Sequence, residues 1–240
     1  NALTADGAVT YYAQVEDSAG NTACSTATVS YELDTTAPSS GGIAGPTSPT
    51  SPSNDVNSPL AGTCGTDSAN GTVVITTTPA NGFSPSYNTA VSLDASGDYN
   101  ITGLTWVEGT YSLNVACSDA AGNGPTTQSP APSVTIDTSA PTAPSGLTLN
   151  DPSSSPSNDT TPEISVTGVT TGDTLELFTD ASCTTSASAS VSVTGDPQLI
   201  TANALSADGT TTYYAQASDA AGNATCSTAT VSYELDTTAP

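Results

Sequence analysis

The sequence predicts an all-β chain of small sandwiches joined end to end. Three observations carry that prediction. First, a loop Asp-x-Ala-Gly-Asn, a strand, and then Asp-Thr-x-Ala-Pro recur at residues 17–38, 119–141 and 219–240. Second, residues 1–38 realign on 203–240 at an offset of 202, and the closing runs 24–38 and 226–240 are identical. The middle copy falls near half that offset, so each period holds two units of about 100 residues, the size of one small sandwich with its own core. Third, short strands with alternating apolar residues are separated by turn signals, and no helical period persists.

Residues 1–34 form the C-terminal part of a truncated repeat, with strands at 11–15 and 27–33. Val29, Tyr31 and Leu33 alternate with Thr28, Ser30 and Glu32, the pattern of a half-buried strand. Residues 34–38, Asp-Thr-Thr-Ala-Pro, form a linker stiffened by proline. A first full domain spans 35–137. Its opening, 39–59, is rich in Gly, Pro and Ser and holds at most an edge strand, and strands follow at 60–66, 71–78, 90–95, 99–104, 110–118 and 134–136. A second domain, 138–236, repeats the plan at 147–149, 163–167, 174–178, 188–194, 199–202, 212–218 and 229–235. Residues 237–240 start the next linker. Asn1 falls inside a repeat, so the sequence reads as a window on a longer array.

The charge balance excludes whole classes of function. There are 23 acidic residues and no Lys, Arg or His, for a formal charge of −23. No side-chain salt bridge can form, and the acids must be solvated, screened or neutralised by outside cations. Nothing is present to neutralise the phosphates of a nucleic acid or an anionic membrane surface. Catalysis lacks its usual groups: no His to activate a Ser and no Lys for Schiff-base chemistry. The acids follow the repeat rather than one cleft, so no enzyme is expected.

Ser-Pro-Ser-Asn-Asp at 51–55 and 155–159, Thr-Asp-Ala-Ser-Cys-Thr-Thr at 179–185 and Tyr-Tyr-Ala-Gln-Ala-Ser-Asp-Ala-Ala-Gly-Asn at 213–223 resemble bacterial immunoglobulin-like repeats, as does the closing run ending in Asp-Thr-Thr-Ala-Pro. The resemblance covers essentially the whole chain. It implies tandem seven-strand Ig-like sandwiches from a large secreted or surface protein, an adhesin or fibre.

Five cysteines are an odd count, and the repeat resolves it. Cys24 aligns with Cys226, whose one partner within its unit is Cys183. Cys64 and Cys117 lie on two strands of the preceding unit, inward by alternation, as in the cross-sheet bridge of immunoglobulin domains. The expected bridges are Cys64–Cys117 and Cys183–Cys226, with the partner of Cys24 outside the chain. Disulfides place the protein outside the cell.

The acidic residues gather where units meet. The last hairpin turn of such a sandwich lies at its N-terminal end, and the turn between its first two strands at its C-terminal end. One junction therefore offers Asp34 with Asp119 and Asn123. The next offers Asn54, Asp55 and Asp137 with Asp219 and Asn223, and the last Asn158, Asp159 and Asp236. Carboxylate, amide and carbonyl oxygens together suit Ca²⁺, and the resemblance implies the same, since related tandem adhesin modules carry calcium at their linkers. Asp-x-Ala-Gly-Asn is also a good turn by itself, with Asp capping backbone amides.

The functional expectation is a structural repeat that projects or assembles as a stalk or filament, its partners being neighbouring copies met head to tail or laterally. The alternative is a module binding a glycan or a neighbouring cell surface through the 35–137 unit, whose opening and 81–87 loop depart from the later repeat. Trp106 is expected at the core edge rather than as a sugar platform. Lys-dependent isopeptide staples are ruled out. Asn70, Asn100, Asn158 and Asn223 match a glycosylation pattern that chance supplies in so Thr-rich a chain.

Overall fold

A computed structural model describes residues 3–85 and 89–240. Among the described residues every regular element is a strand apart from one 3₁₀ turn, Thr66–Ser68. By contacts the chain divides into two compact units. One comprises Asn1–Thr50 and Asn57–Val134, the other Ser51–Val56 and Thr135–Pro240. No helix among the described residues is long and apolar enough to cross a membrane.

The first unit begins with a two-stranded antiparallel ribbon, β1 (Gly7–Glu16) and β2 (Thr22–Leu33), in register from Gly7↔Leu33 to Glu16↔Thr22 with one bulge between Tyr12 and Gln14. Both strands run longer than the predicted 11–15 and 27–33. The added residues pair too, Gly7, Ala8, Val9 and Thr10 opposite Leu33, Glu32, Tyr31 and Ser30, and Glu16 opposite Thr22.

Ten strands follow up to residue 136. They are β3 (Ala44–Ser48), β4 (Leu60–Thr63), β5 (Thr72–Thr78), β6 (Phe83–Ser84), β7 (Val91–Ser92), β8 (Asp98–Ile101), β9 (Thr105–Trp106), β10 (Gly109–Ser118), β11 (Thr126–Thr127) and β12 (Ser133–Ile136). One sheet has the order β3-β4-β8; another runs β11-β10-β5-β7, with β12 also on β10; β6 and β9 form a short pair. The inward residues Leu60, Val73, Ile75, Tyr99, Ile101, Leu104, Leu113 and Val115 make the core. Trp106 is buried, donates Nε1–H to the Ser58 carbonyl at 2.9 Å, and meets Phe83 edge to face with ring centres 5.0 Å apart. It is a core residue. Cys64, just past β4, and Cys117 on β10 are joined by a disulfide that links the two larger sheets.

The second unit contains eight strands: β13 (Gly146–Asp151), β14 (Glu163–Thr167), β15 (Thr174–Phe178), β16 (Val191–Ser192), β17 (Gln198–Thr201), β18 (Gly209–Ser218), β19 (Ala224–Cys226) and β20 (Val231–Leu235). The sheet β13-β14-β17 supplies Leu147, Ile164, Val166 and Ile200. These pack against Leu175, Leu177, Tyr213, Ala215, Tyr233 and Leu235 of the sheet β16-β15-β18-β19, on whose β18 the strand β20 also pairs. The second disulfide, Cys183–Cys226, ties the loop after β15 to β19, within one sheet rather than across two.

The fold class is all-β and sandwich-like, but the expected seven-strand count is not what the strands give. Several extra strands are pairs of residues (β6, β7, β9, β11, β16), too short to carry any alternation.

The Ser-Pro-Ser-Asn-Asp segments share one role. Ser53 forms a parallel bridge with Ile136, donating to the Thr135 carbonyl (3.0 Å) and accepting from Asp137 N (2.9 Å). Ser157 does the same to Leu235 through Glu234 O (3.1 Å) and Asp236 N (2.9 Å). Ser51 and Ser155 hydroxyls accept from Thr135 N and Glu234 N at 2.8 and 2.7 Å. Each segment thus seals the edge of a last strand just before its linker.

Candidate functional site

The three Asp-x-Ala-Gly-Asn loops fold alike because the first Asp satisfies the turn it begins. Asp219 Oδ1 accepts from Ala221 N (2.8 Å) and Asn223 N (2.9 Å), while Oδ2 accepts from Asn223 Nδ2 (2.9 Å). Asp119 takes Asn123 N and Nδ2 at 2.9 and 2.8 Å, and Asp17 takes Ala19 N, Asn21 N and Asn21 Nδ2, each at 2.9 Å. The glycine before the Asn sits at φ +86, +91 and +91 in the three copies, a conformation that favours glycine.

The loops differ in what covers them. Asn123 Nδ2 also donates to the Asp34 carbonyl (3.1 Å), and Asn223 Nδ2 to the Asp137 carbonyl (2.8 Å). One amide group thereby ties its own loop to the linker ahead of it. Asp119 is 6% exposed, whereas the Asp17 loop lies open. Burial pushes the Asp119 and Asp219 carboxyls up, but the hydrogen bonds from Asn123 and Asn223 and from neighbouring amides outweigh it. Both end below the ordinary carboxyl range.

Of the predicted junction residues, Asn54 joins Asp219 and Asn223: its Nδ2 lies so near Gly222 that a Cβ there would meet it at 3.5 Å. Asp137 contributes its backbone carbonyl, and its Oδ1 turns back to accept from Ser139 N (3.0 Å). Asp34 likewise offers its carbonyl, with Oδ1 on Thr36 N (3.1 Å). Asp55 N is held by Ser53 Oγ (3.1 Å). At the last junction Asp236 Oδ1 accepts from Thr238 N (3.0 Å), Asp159 Oδ1 from Thr161 N (2.9 Å), and Asn158 is exposed. Among the described residues no group of three or more His, Cys, Asp or Glu is placed to hold a metal ion. The oxygens brought together are mostly one carboxylate, one linker carbonyl and an amide.

Sequence reasoning missed three acids. Asp6 accepts from Thr35 N and Oγ1 (3.0 and 2.6 Å) and from Thr36 Oγ1 (2.5 Å); Asp208 does the same for Thr237 N and Oγ1 (2.9 and 2.7 Å) and Thr238 Oγ1 (2.8 Å). The hydroxyls of Thr35 and Thr237 lead in holding these carboxyls below the ordinary range. Each Asp precedes a Gly and reads locally as a turn, yet it fastens the linker. The third is Asp173, whose carboxyl is raised, chiefly by burial and secondarily by the charge of Asp219. The register Thr174↔Ser218 is what sets Asp173 beside Asp219.

Of the 81–87 loop, residues 86 and 87 lie outside the described residues. In the same unit, a hollow of about 330 Å³ is lined by Ala44, Thr47, Ala61, Gly62, Thr63, Asp98 and Tyr99. The buried Tyr99 hydroxyl there has no hydrogen-bond partner among the described residues, and burial pushes its pKa up to about 12.

No family model matches the sequence, and no curated protein matches it. Solved structures do. The chain is similar to a tetra-tandem repeat in the extending region of a large adhesion protein, at 24% identity over 96% of this chain and 57% of that one, with a TM-score of 0.32. It is similar to fibronectin(III)-like modules of Clostridium thermocellum CbhA at 16% identity, over 80% of this chain and 91% of that, TM-score 0.45. It is also similar to a 1.5-MDa bacterial ice-binding adhesin in a structure concerned with host cell surface retention, at 20% identity over 96% and 74%, TM-score 0.39. The chain thus spans a little over half the length of the first of these.

Proposed function

We propose that the chain is a run of structural repeat modules from an extracellular fibre or surface adhesin, variations on a seven-strand immunoglobulin-like plan, whose work is to project and space. The observation that carries this reading is the repeated fastening of the linker. Asn123 holds the Asp34 carbonyl and Asn223 the Asp137 carbonyl, while Asp6 holds the Thr pair after Asp34 and Asp208 the Thr pair after Asp236. A single ligand site does not need the same linker clamp at a fixed spacing; a stalk does. Two disulfides support an oxidising, extracellular setting. The absence of Lys and Arg leaves trypsin-like proteases no cleavage site. The partners under this reading are neighbouring copies, head to tail or laterally.

Calcium is the finer part of the proposal. At the better-supplied junction Asp219, Asp173, Asn54 and the Asp137 carbonyl would hold it, with Asn223 turning its amide oxygen inward. The donors are hard oxygens of the kind Ca²⁺ takes, and Asp173 and Asp219 repel each other without a cation between them. Small-angle X-ray scattering of the chain in calcium and in excess chelator tests both parts. A long maximum dimension that shortens on chelation supports a calcium-stiffened stalk. Identical rod-like curves leave proline and the Asn and Asp clamps in charge of the linkers. Flexible curves in both conditions overturn the stalk.

A ligand-binding module is the second reading, favoured by the hollow at Tyr99 and its unpartnered hydroxyl. A glycan array probed with the chain and with Tyr99→Phe separates the readings: binding lost in the variant favours the module, and silence from both favours the spacer.

A further inference from the structure

Two buried tyrosines of the second unit are satisfied differently. Tyr233 donates its hydroxyl to the Asp159 carbonyl at 2.5 Å. The hydroxyl of Tyr213, a residue only 1% exposed, has no hydrogen-bond partner among the described residues. A buried hydroxyl in that condition is costly unless something outside the fold meets it. Tyr213 lines a hollow of about 210 Å³. Around it Thr179, Thr185, Ser186 and Asn203 are exposed and supply hydroxyls and an amide, while Ala187 is buried and Leu205 half-buried. The hollow therefore has a polar rim and an apolar floor.

The rim is held from both sides. Asp180 accepts from Ser182 N (2.9 Å), Thr184 N (3.1 Å) and Thr185 N (2.7 Å), and Thr179 N donates to the Thr185 carbonyl (3.0 Å). The Cys183–Cys226 disulfide anchors the same loop. Opposite it, Asn203 N donates to the Ala187 carbonyl (2.7 Å) and Leu205 N to the Thr160 carbonyl (2.8 Å). Such a rim needs little ordering when a ligand arrives.

The lining also selects the ligand. In a chain with 23 acids, no Asp or Glu lines this hollow, so a cation finds no carboxylate there. The negative charge of the whole chain turns anions away. Hydroxyls and amides both donate and accept, as the hydroxyls of a sugar require, and the Tyr213 ring and Leu205 suit its C–H face. The volume is below the about 300–1,000 Å³ of a drug-sized pocket, which leaves room for one ring rather than a chain.

We propose that this hollow is a binding subsite for one neutral sugar ring of a glycan, with Asn203 and the rim threonines holding its hydroxyls and the Tyr213 hydroxyl donating to one of them. The site belongs to the long period. Asn203, Leu205 and Tyr213 recur as Asn1, Leu3 and Tyr11 at the offset of 202. The two hairpins match in register, Gly7↔Leu33 with Gly209↔Leu235 and Tyr11↔Val29 with Tyr213↔Val231. On the intervening β10, Leu113 stands where Tyr213 stands on β18 and brings no hydroxyl. One weak site per period becomes multivalent along an array. The site is separate from the hollow at Tyr99, and it is compatible with a spacing role.

The test titrates the isotope-labelled full chain with methyl glycosides of glucose, galactose, mannose, fucose and N-acetylglucosamine at millimolar concentration, with glucuronic acid alongside, and follows amide shifts by NMR. A saturable response to at least one neutral glycoside is expected, centred on residues 179, 185–187 and 203–205, with little or none to glucuronic acid. Tyr213→Phe should weaken that binding about three- to tenfold, the worth of one hydrogen bond. Asn203→Ala, on the exposed rim, should weaken it likewise and keeps the test decisive if the tyrosine variant folds poorly. Silence from every neutral glycoside overturns the proposal, as does an equal response to glucuronic acid. Binding unchanged in both variants overturns it too. Shifts centred on residues 61–63, 98 and 99 instead would overturn this site and favour the one at Tyr99.

Discussion

At the scale of single residues, the same aspartate does different work according to what covers it. Asp17 and Asp219 cap the same turn, but Asp17 lies open to solvent while Asp219 belongs to a loop fastened to a linker. Removing a carboxylate that accepts several hydrogen bonds leaves half-buried amides without their partner. Asp219→Ala is therefore expected to destabilise its unit by about 2 kcal/mol, read as a lower urea midpoint, whereas Asp17→Ala leaves that transition unmoved. Asp119 and Asp219 lie below the ordinary value of 3.8, so the folded state binds their protons more weakly than the unfolded chain. Their contribution is complete above that value and is lost as pH falls through the lower folded values. Asp173 has the opposite sign. Its raised carboxyl makes ionisation costlier in the folded state, so stability present below 3.8 is lost as pH rises through the folded value. Asp173→Asn should raise the urea midpoint at pH 7 in low salt and calcium-free buffer. The gain should shrink as pH falls through the carboxyl range. An unchanged midpoint at pH 7 would show that the two carboxylates do not repel.

At the scale of elements, what was legible in the sequence depended on reach. Tyr111, Leu113, Val115 and Cys117 alternate along β10 and are all buried, so that strand could be read directly. The two-residue strands could not, since they exist through partners such as Phe83↔Trp106 rather than through any pattern of their own. The loops of the candidate site were legible because Asp-x-Ala-Gly-Asn is closed by bonds within five residues. Asp6 and Asp208 were not, because their threonines lie 29 and 30 residues away. Glycines mark close approaches between elements as well. Gly97 has φ +79, and a Cβ there would stand 1.9 Å from the Gly65 carbonyl oxygen, where Cys64 N donates to Gly97 O at 2.8 Å. Gly97→Ala should cost about 1–3 kcal/mol from the backbone conformation alone. The clash beside Cys64 adds to that, and thermal unfolding followed by circular dichroism would register it.

At the scale of the whole molecule, stability is assembled without side-chain ion pairs. With 23 acids and no cationic side chain, every favourable contact of a carboxylate is a hydrogen bond from an amide or hydroxyl, or a contact with a dissolved cation. Raising salt should therefore stabilise the chain by screening repulsion, with no ion pairs to weaken. A thermal melt in rising sodium chloride checks this, and a falling midpoint would contradict it.

The matched registers of β1–β2 and β18–β20 have a consequence for heredity. Two stretches that agree residue for residue over 24–38 and 226–240 invite exchange between the copies of a gene that encode them. Because the strands they encode pair identically, a crossover anywhere inside them joins one hairpin to the other without shifting a hydrogen bond or turning a side chain to the wrong face. Such a lineage can lengthen or shorten by whole periods of 202 residues while each sandwich stays intact. Reach then varies in steps, and the fold never has to be reinvented.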